Sequence, residues 1–262
     1  MKTLRTWIMA AAMSLCTTAF ANTFVPDLSD LWYNDNESGW GVNVTHQREI
    51  LFLTFFIYGT DGRATWYTGQ ASNVGQNAQG ASVFSGGMYQ FTGPWFGNFF
   101  NPALVNGRNV GTVTFTAFLD SATLSYTIDG VTVNKAVTRQ TFRNNDLTGE
   151  YIGAIKHNQS GCRSPFVNSD FNSSTDFSVS HTATTFSMAV RQPDGNVCNY
   201  AGSYTQNGRL GRSQGNYSCG GGVTGTYDAV ELEANIQGFL GRYTASDNFC
   251  SSTTGRFAAM RK

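Results

Sequence analysis

Four dipeptides, Asp61-Gly62, Asp129-Gly130, Asp194-Gly195 and Asn207-Gly208, constrain this chain more than any other feature. Each joins two runs rich in apolar and β-branched residues, and Asp-Gly or Asn-Gly in that setting specifies a tight hairpin. Gly39 to His46, Val110 to Leu119 and Leu124 to Ile128 carry apolar residues at every second position, the period of a half-buried strand. Ile50 to Tyr58 (ILFLTFFIY) is apolar almost throughout, which predicts a strand covered on both faces. Beyond residue 21 no segment carries a helical period. Strands joined in succession by short turns predict an all-β chain of two antiparallel meanders. With about eight strands in each, closure into a barrel removes the exposed edges, and a barrel-like sandwich is the rival arrangement.

Composition narrows the class. Charged residues make up 13% of the 262, with 17 basic and 17 acidic side chains, where a soluble domain usually carries about 25%. A coiled coil or helical bundle would be rich in Ala, Glu, Lys and Leu. A nucleic-acid-binding surface would show a basic excess, so no nucleic acid is expected as a partner. With 20 Phe and 11 Tyr the chain is too aromatic for disorder.

Residues 1–21 read as a secretory signal peptide. Lys2 and Arg5 form a basic start, Trp7 to Cys16 an apolar stretch too short to span a bilayer, and Ala19-Phe20-Ala21 a cleavage site. A lipoprotein signal using Cys16 would need a small residue where Leu15 stands. No later run reaches the roughly 18 apolar residues of a membrane helix. The expected product starts at Asn22, has no transmembrane segment, and is secreted or periplasmic. Cys162, Cys198, Cys219 and Cys250 lie downstream, and an even number in an exported chain reads as two disulfides. Folding about Asn207-Gly208 brings Cys198 to Cys219 and leaves Cys162 for Cys250. A zinc site would need closer spacing such as C-x-x-C, which is absent, so neither metal nor cofactor is expected.

All four of these cysteines follow residue 160, whereas Trp32, Trp40, Trp66 and Trp95 precede residue 100. The asymmetry splits the chain near Arg143-Asn144-Asn145-Asp146, into a Trp-rich domain over 22–143 and a Cys-containing domain over 144–262. The halves open alike: Asp27-Leu28-Ser29 stands before Trp32-Tyr33, and Asp146-Leu147-Thr148 before Tyr151-Ile152. This hints at duplication.

Leu31-Trp32-Tyr33-Asn34, Glu37-Ser38-Gly39-Trp40-Gly41-Val42-Asn43, Thr65-Trp66-Tyr67 and Ala136-Val137-Thr138-Arg139-Gln140 carry a resemblance over most of residues 28–143. The chain resembles the exported tryptophan-rich β proteins of proteobacteria that bear a Glu-Ser-Gly-Trp-Gly signature. The resemblance implies a bacterial exported protein and implies no particular chemistry.

Few residues offer catalysis. His46, His157 and His181 have no metal-binding spacing, and His46 reads as a solvent-facing turn residue. Gly211-Arg212-Ser213-Gln214-Gly215 matches G-x-S-x-G, but it lies on the return arm of a hairpin with no helix after it. Glu231 and Glu233 alternate with apolar residues and read as the solvent face of one strand. Asp35-Asn36-Glu37-Ser38 reads as a turn, with a calcium loop as the rival. The aromatics remain. Trp40, Trp66, Tyr67 and Trp95, with Glu37 as a polar anchor, are the expected contacts of a ligand site. Trp95 lies in a Gly/Pro loop with Phe96, Phe99 and Phe100, where no strand face can bury the rings. The function expected is non-enzymatic binding of a saccharide, a small amphiphile, or an envelope or host protein. The alternatives are a hydrolase of an extracellular polymer, using Glu37 with Asp35 or His46, and a structural or adhesive surface protein.

Overall fold

The structure is a computed structural model that describes residues 26–164 and 166–262. The leader read at residues 1–21 lies outside them. The chain forms two closed eight-stranded antiparallel barrels, not open sandwiches. Barrel 1 comprises β1 (Asp30–Tyr33), β2 (Gly41–Gln47), β3 (Ile50–Tyr58), β4 (Ala64–Gln76), β5 (Ser82–Thr92), β6 (Asn106–Ala117), β7 (Ser121–Ile128) and β8 (Val131–Arg139). Barrel 2 comprises β9 (Gly149–Cys162), β10 (Ser169–His181), β11 (Thr185–Arg191), β12 (Val197–Asn207), β13 (Leu210–Cys219), β14 (Val223–Ala234), β15 (Gly238–Asp247) and β16 (Cys250–Arg261). In each, every strand pairs with its neighbours in sequence and the last returns to the first. No helix among the described residues is long and apolar enough to cross a membrane.

Alternation sorts the side chains. Leu51, Leu53 and Phe55 of β3 point into barrel 1 and are fully buried, beside Trp32, Phe84, Met88, Phe115 and Leu124. Trp32 meets Phe115 edge to face at 5.2 Å. The other face of β3 corrects the expectation of a doubly covered strand: Phe52, Phe56 and Tyr58 are exposed. A closed barrel has one interior, and no further layer covers this wall among the described residues. Barrel 2 is filled by Tyr151, Phe177, Phe186, Phe239 and Phe257, with tyrosines above them.

Both barrels close one end with the same device. Trp32 Nε1 donates to Leu28 O at 3.0 Å, and Tyr151 Oη donates to Leu147 O at 2.8 Å. Leu28 and Leu147 are fully buried plugs. The last strand then lays an arginine over the aromatic ring: Arg139 lies 4.7 Å from the Trp32 ring and Arg261 lies 5.2 Å from the Tyr151 ring. A histidine near the end of the second strand completes each plug. His46 Nδ1 accepts from Leu28 N at 3.2 Å, and the His181 backbone N–H donates to Thr148 Oγ1. His46 is therefore not a solvent residue: its side chain is 7% exposed, because it caps the barrel end. The similar openings of the two halves thus form one repeated structure.

The barrel ends that carry these plugs meet. The loop joining β12 to β13 is Gly208-Arg209, since Asn207 pairs with Leu210, so the turn sits one residue later than Asn207-Gly208. Gly208 has φ +60°, and a Cβ there would lie 2.1 Å from Asp30 Oδ2 and 2.8 Å from Arg139 Cβ. Only glycine lets the hairpin seat so closely against barrel 1. Arg209 reaches Asp27 and Glu233 and donates from Nε to Ser29 O. Burial pushes the Asp27 carboxyl up, but bonds from Ser29 and the Arg209 guanidinium outweigh it and hold the carboxyl below its ordinary value.

The far ends differ. Cys162–Cys250 staples β9 to β16 and Cys198–Cys219 staples β12 to β13, each pair directly opposed with Cα atoms 4.0 Å apart. Barrel 2 thus closes along a full seam, from Tyr151–Arg261 to Cys162–Cys250. In barrel 1, β1 pairs with β8 only at Trp32–Arg139 and Tyr33–Thr138. Above that point side chains span the gap: Asn34 Nδ2 donates to Ala136 O at 3.0 Å, and Lys135 Nζ donates to both Glu37 oxygens at 2.7 and 2.8 Å.

Two isolated motifs are structural. Ser213 is buried on β13, beside a register shift, and its hydroxyl bonds Tyr227 Oη at 2.8 Å. The Glu231 and Glu233 expectation is corrected by a bulge in β14, where Glu231 has φ +55° and the register shifts. Glu231 pairs with Arg242 and is 8% exposed, while Glu233 goes to Arg209.

The Arg139 side chain is fully buried and bonds Asp30 Oδ2, Asp27 O and Leu119 O. Arg139→Met leaves the Asp30 carboxylate without its buried partner, so urea denaturation will show a loss of about 3 kcal/mol. Gly208→Val will cost ~2 kcal/mol through strain and overlap with Asp30, measured the same way.

Candidate functional site

The end of barrel 1 remote from barrel 2 gathers the aromatic residues. Glu37 and Trp40 belong to the connection between β1 and β2, which folds across the barrel mouth. Trp40 Nε1 donates to Glu37 Oε2 at 3.0 Å, and Lys135 Nζ lies 5.8 Å from the Trp40 ring. The hydrogen bond from Lys135, with that from Trp40, holds the Glu37 carboxyl below its ordinary value despite some desolvation. Gly41 follows Trp40 because the Phe56 ring lies against it: a Cβ there would come within 2.5 Å of Phe56 Cζ and 3.0 Å of Trp32 O.

Trp40 and Tyr67 both pack onto the top of the barrel core, with Ile57, Ile128 and Val133. Beside them Arg108 forms a two-pronged pair with Asp129, at 2.6 and 2.7 Å, and donates to Gln90. That hydrogen-bonded pairing raises the Arg108 pKa and lowers that of Asp129. The mouth is therefore filled by apolar side chains and strutted by two ion pairs.

Trp66 is elsewhere. It neighbours Tyr67 on β4, and consecutive strand residues face opposite sides, so Trp66 lies on the outer wall. It is exposed there and stacks on Phe91 of β5, with centroids 6.3 Å apart and planes at 12°. Phe56 pairs with Trp66 across β3 and β4, and Tyr89 adjoins Phe91. This wall leads to the connection between β5 and β6. There Trp95 and Phe100 are 64% and 60% exposed, and Phe96 and Phe99 are 92% and 97% exposed. Thr92 to Gly107 contains no charged residue. Of the five residues expected to share a site, Glu37, Trp40 and Tyr67 come together inside the mouth. Trp66 joins the outer aromatic wall, and Trp95 the projecting loop.

Of the candidates for hydrolysis, Glu37 and His46 do not come together. His46 sits at the opposite end of β2 from Glu37 and Trp40, and both Glu37 oxygens are engaged by Lys135. Among the described residues no group of three or more His, Cys, Asp or Glu is arranged to hold a metal.

A concavity that the sequence gives no sign of opens at the disulfide end of barrel 2. It has a volume of about 210 Å3, and its lining includes His157, Tyr200, Tyr217, Tyr243, Asp247 and Thr253. No protein-family model matches the chain, and no curated protein matches it. The geometry of these two ends therefore carries the functional reading.

The Glu37 carboxyl titrates below its unfolded value, so its contribution is complete above the ordinary carboxylate range and is lost as pH falls through the lowered value. Acid titration of tryptophan emission will show a transition in that low range from release of Trp40. Glu37→Gln will remove this transition and leave the rest of the profile in place.

Proposed function

We propose that the chain is an exported, non-enzymatic binding protein that engages amphiphiles through the aromatic end of barrel 1. The observation carrying this reading is the near-complete exposure of Phe96 and Phe99, in a stretch without charge that Trp95 and Phe100 extend. Exposed rings of this kind are costly in water and favourable at a boundary between water and apolar chains. The outer wall of Phe56, Trp66 and Phe91 continues the same surface. Charge at this end is largely cancelled locally, in Glu37–Lys135, Arg108–Asp129 and Asp61–Arg63. Attraction to anionic groups is therefore not the driving force. Export is supported by the signal-like leader and by two disulfides, which persist in oxidising compartments. The family resemblance at Glu37 to Gly41 agrees with that assignment.

A saccharide is the competing ligand, since rings also stack on sugars. It is disfavoured because sugar recognition pairs rings with free polar groups. In this loop the Asn101 and Asn106 side chains bond the loop's own backbone. The experiment compares vesicles of phosphatidylcholine with soluble oligosaccharides, reading tryptophan emission of the mature chain. Vesicles are expected to shift the emission to the blue, as Trp95 leaves water. Phe96→Ala combined with Phe99→Ala will reduce partitioning about tenfold without lowering the melting temperature, because both rings are almost wholly exposed. Absence of vesicle binding overturns the reading. A saturable response to an oligosaccharide that depends on Trp95 would replace it with the saccharide reading.

A further inference from the structure

The cavity at the disulfide end of barrel 2 is blind. Beneath it, Phe186, Met188 and Phe257 help enclose a void of only about 10 Å3, no more than a single water would need. Its walls are rings. His157 stacks on Phe171 with centroids 4.7 Å apart and planes at 15°, and Tyr200 stacks on Tyr217 at 5.1 Å and 12°. Tyr243 bonds His157 Nδ1 through its hydroxyl at 2.7 Å, which fixes the imidazole. The volume of about 210 Å3 falls below the roughly 300–1,000 Å3 of sites for drug-sized molecules. It suits a single ring.

Two hydroxyls in this cavity are left unpaired by the described residues. Thr253 is 4% exposed, and its Oγ1 is buried with no hydrogen-bond partner among the described residues. It lies on the inward face of β16, in the cavity lining. Burying a hydroxyl unpaired is costly, and native structures seldom tolerate it without a reason. The Tyr200 hydroxyl likewise bonds no described residue, whereas its neighbours Tyr217 and Tyr227 bond Asp247 and Ser213.

The charges define the ligand further. No lysine or arginine among the described residues lines the cavity. Asp247 does, but its oxygens are occupied: Oδ2 accepts from Tyr217 at 2.6 Å, and Oδ1 from the Phe249 and Cys250 backbone at 2.8 and 2.7 Å. Burial raises the Tyr200, Tyr217 and Tyr243 phenols and lowers His157, so all four stay neutral near pH 7. An anion would find no counter-charge, and a cation would find a carboxylate already satisfied.

We infer that this cavity is a binding site for a small uncharged ring compound bearing a hydroxyl or N–H group, such as a phenol or a hydroxylated heteroaromatic. The ring lies between the aromatic walls, and its polar group bonds Thr253 Oγ1 and the Tyr200 hydroxyl. The site is separate from the aromatic end of barrel 1 and does not depend on how that end functions. The Cys198–Cys219 disulfide holds part of its rim, since both cysteines line it.

The test uses the oxidised chain carrying Phe96→Ala and Phe99→Ala, which weakens the other aromatic end, while the signals of β16 report binding at the cavity itself. Phenol, catechol and indole are titrated against benzoate and benzylamine, with calorimetry and the amide NMR signals of Thr253 and Gly255 as readouts. The expected result is saturable binding of at least one uncharged ring at about 1 mM or tighter, with the charged rings at least tenfold weaker. Thr253→Val separates ligand contact from packing. Removing the unpaired hydroxyl will raise the melting temperature of the free protein yet weaken binding about tenfold. Tyr200→Phe will weaken binding without unfolding the chain. Three results overturn the inference: no saturable response to any uncharged ring, equal binding of the charged rings, or unchanged affinity in Thr253→Val and Tyr200→Phe.

Discussion

The buried guanidinium of Arg139 is the interaction on which the rest of the molecule depends. It ends the last strand of barrel 1, lies over the Trp32 ring, and binds the segment from Asp27 to Asp30 that precedes and begins the first strand. One side chain therefore closes the sheet and caps its core. Burial lowers its pKa, while Asp30 opposes that shift. Arg209 grips the same Asp27–Asp30 segment from barrel 2, so the plug of one barrel is also the joint between the two. Barrel 2 repeats the device with Tyr151 and Arg261, but Arg261 is exposed and the ring is a phenol. That closure leans instead on a long hydrogen-bonded seam and a disulfide. Two related solutions to the same closure problem thus divide the work differently between side chains and backbone.

Much of this was legible because it depends on local chemistry. Turn dipeptides and two-residue alternation are short-range signals, and they place the strands and the all-β class. What escaped depends on tertiary contact. His46 reads as a turn residue until the Leu28 amide approaches it. Glu231 reads as a solvent residue until a bulge turns it toward Arg242. Nothing in ILFLTFFIY distinguishes a strand covered on both faces from one whose outer rings stay in solvent. The turn, one residue later than Asn207-Gly208, seats against Asp30, a partner far away in sequence.

The sites divide along the same line. The Trp95 loop could be singled out because a run of rings without strand periodicity has nowhere to bury itself. Trp66 and Tyr67 looked alike by residue type, and only strand alternation sends one outward and the other into the mouth. The cavity of barrel 2 left no local trace. Its residues come from all eight strands of barrel 2, at positions where inward tyrosines read as ordinary barrel filling. The unpaired state of Thr253 is a property of three-dimensional surroundings alone. A rule for such barrels is to count inward hydroxyls against inward partners, strand by strand.

The pairing of Trp32 with Arg139 also orders events in time. Barrel 1 cannot close until its eighth strand is available, because the first strand has no other partner on that side. Every contact of that seam is long-range, and such contacts form late and slowly. Until then β1 and β8 are open edges, able to pair with a strand of the wrong barrel or of another chain. The meander limits this hazard, since all its other pairings are between neighbours and can accumulate as the chain lengthens. A chain made from its N-terminus can complete barrel 1 before β9 to β16 exist. The finished Asp27–Asp30 surface is then ready to receive the Gly208-Arg209 hairpin, so the first barrel serves as a template for seating the second.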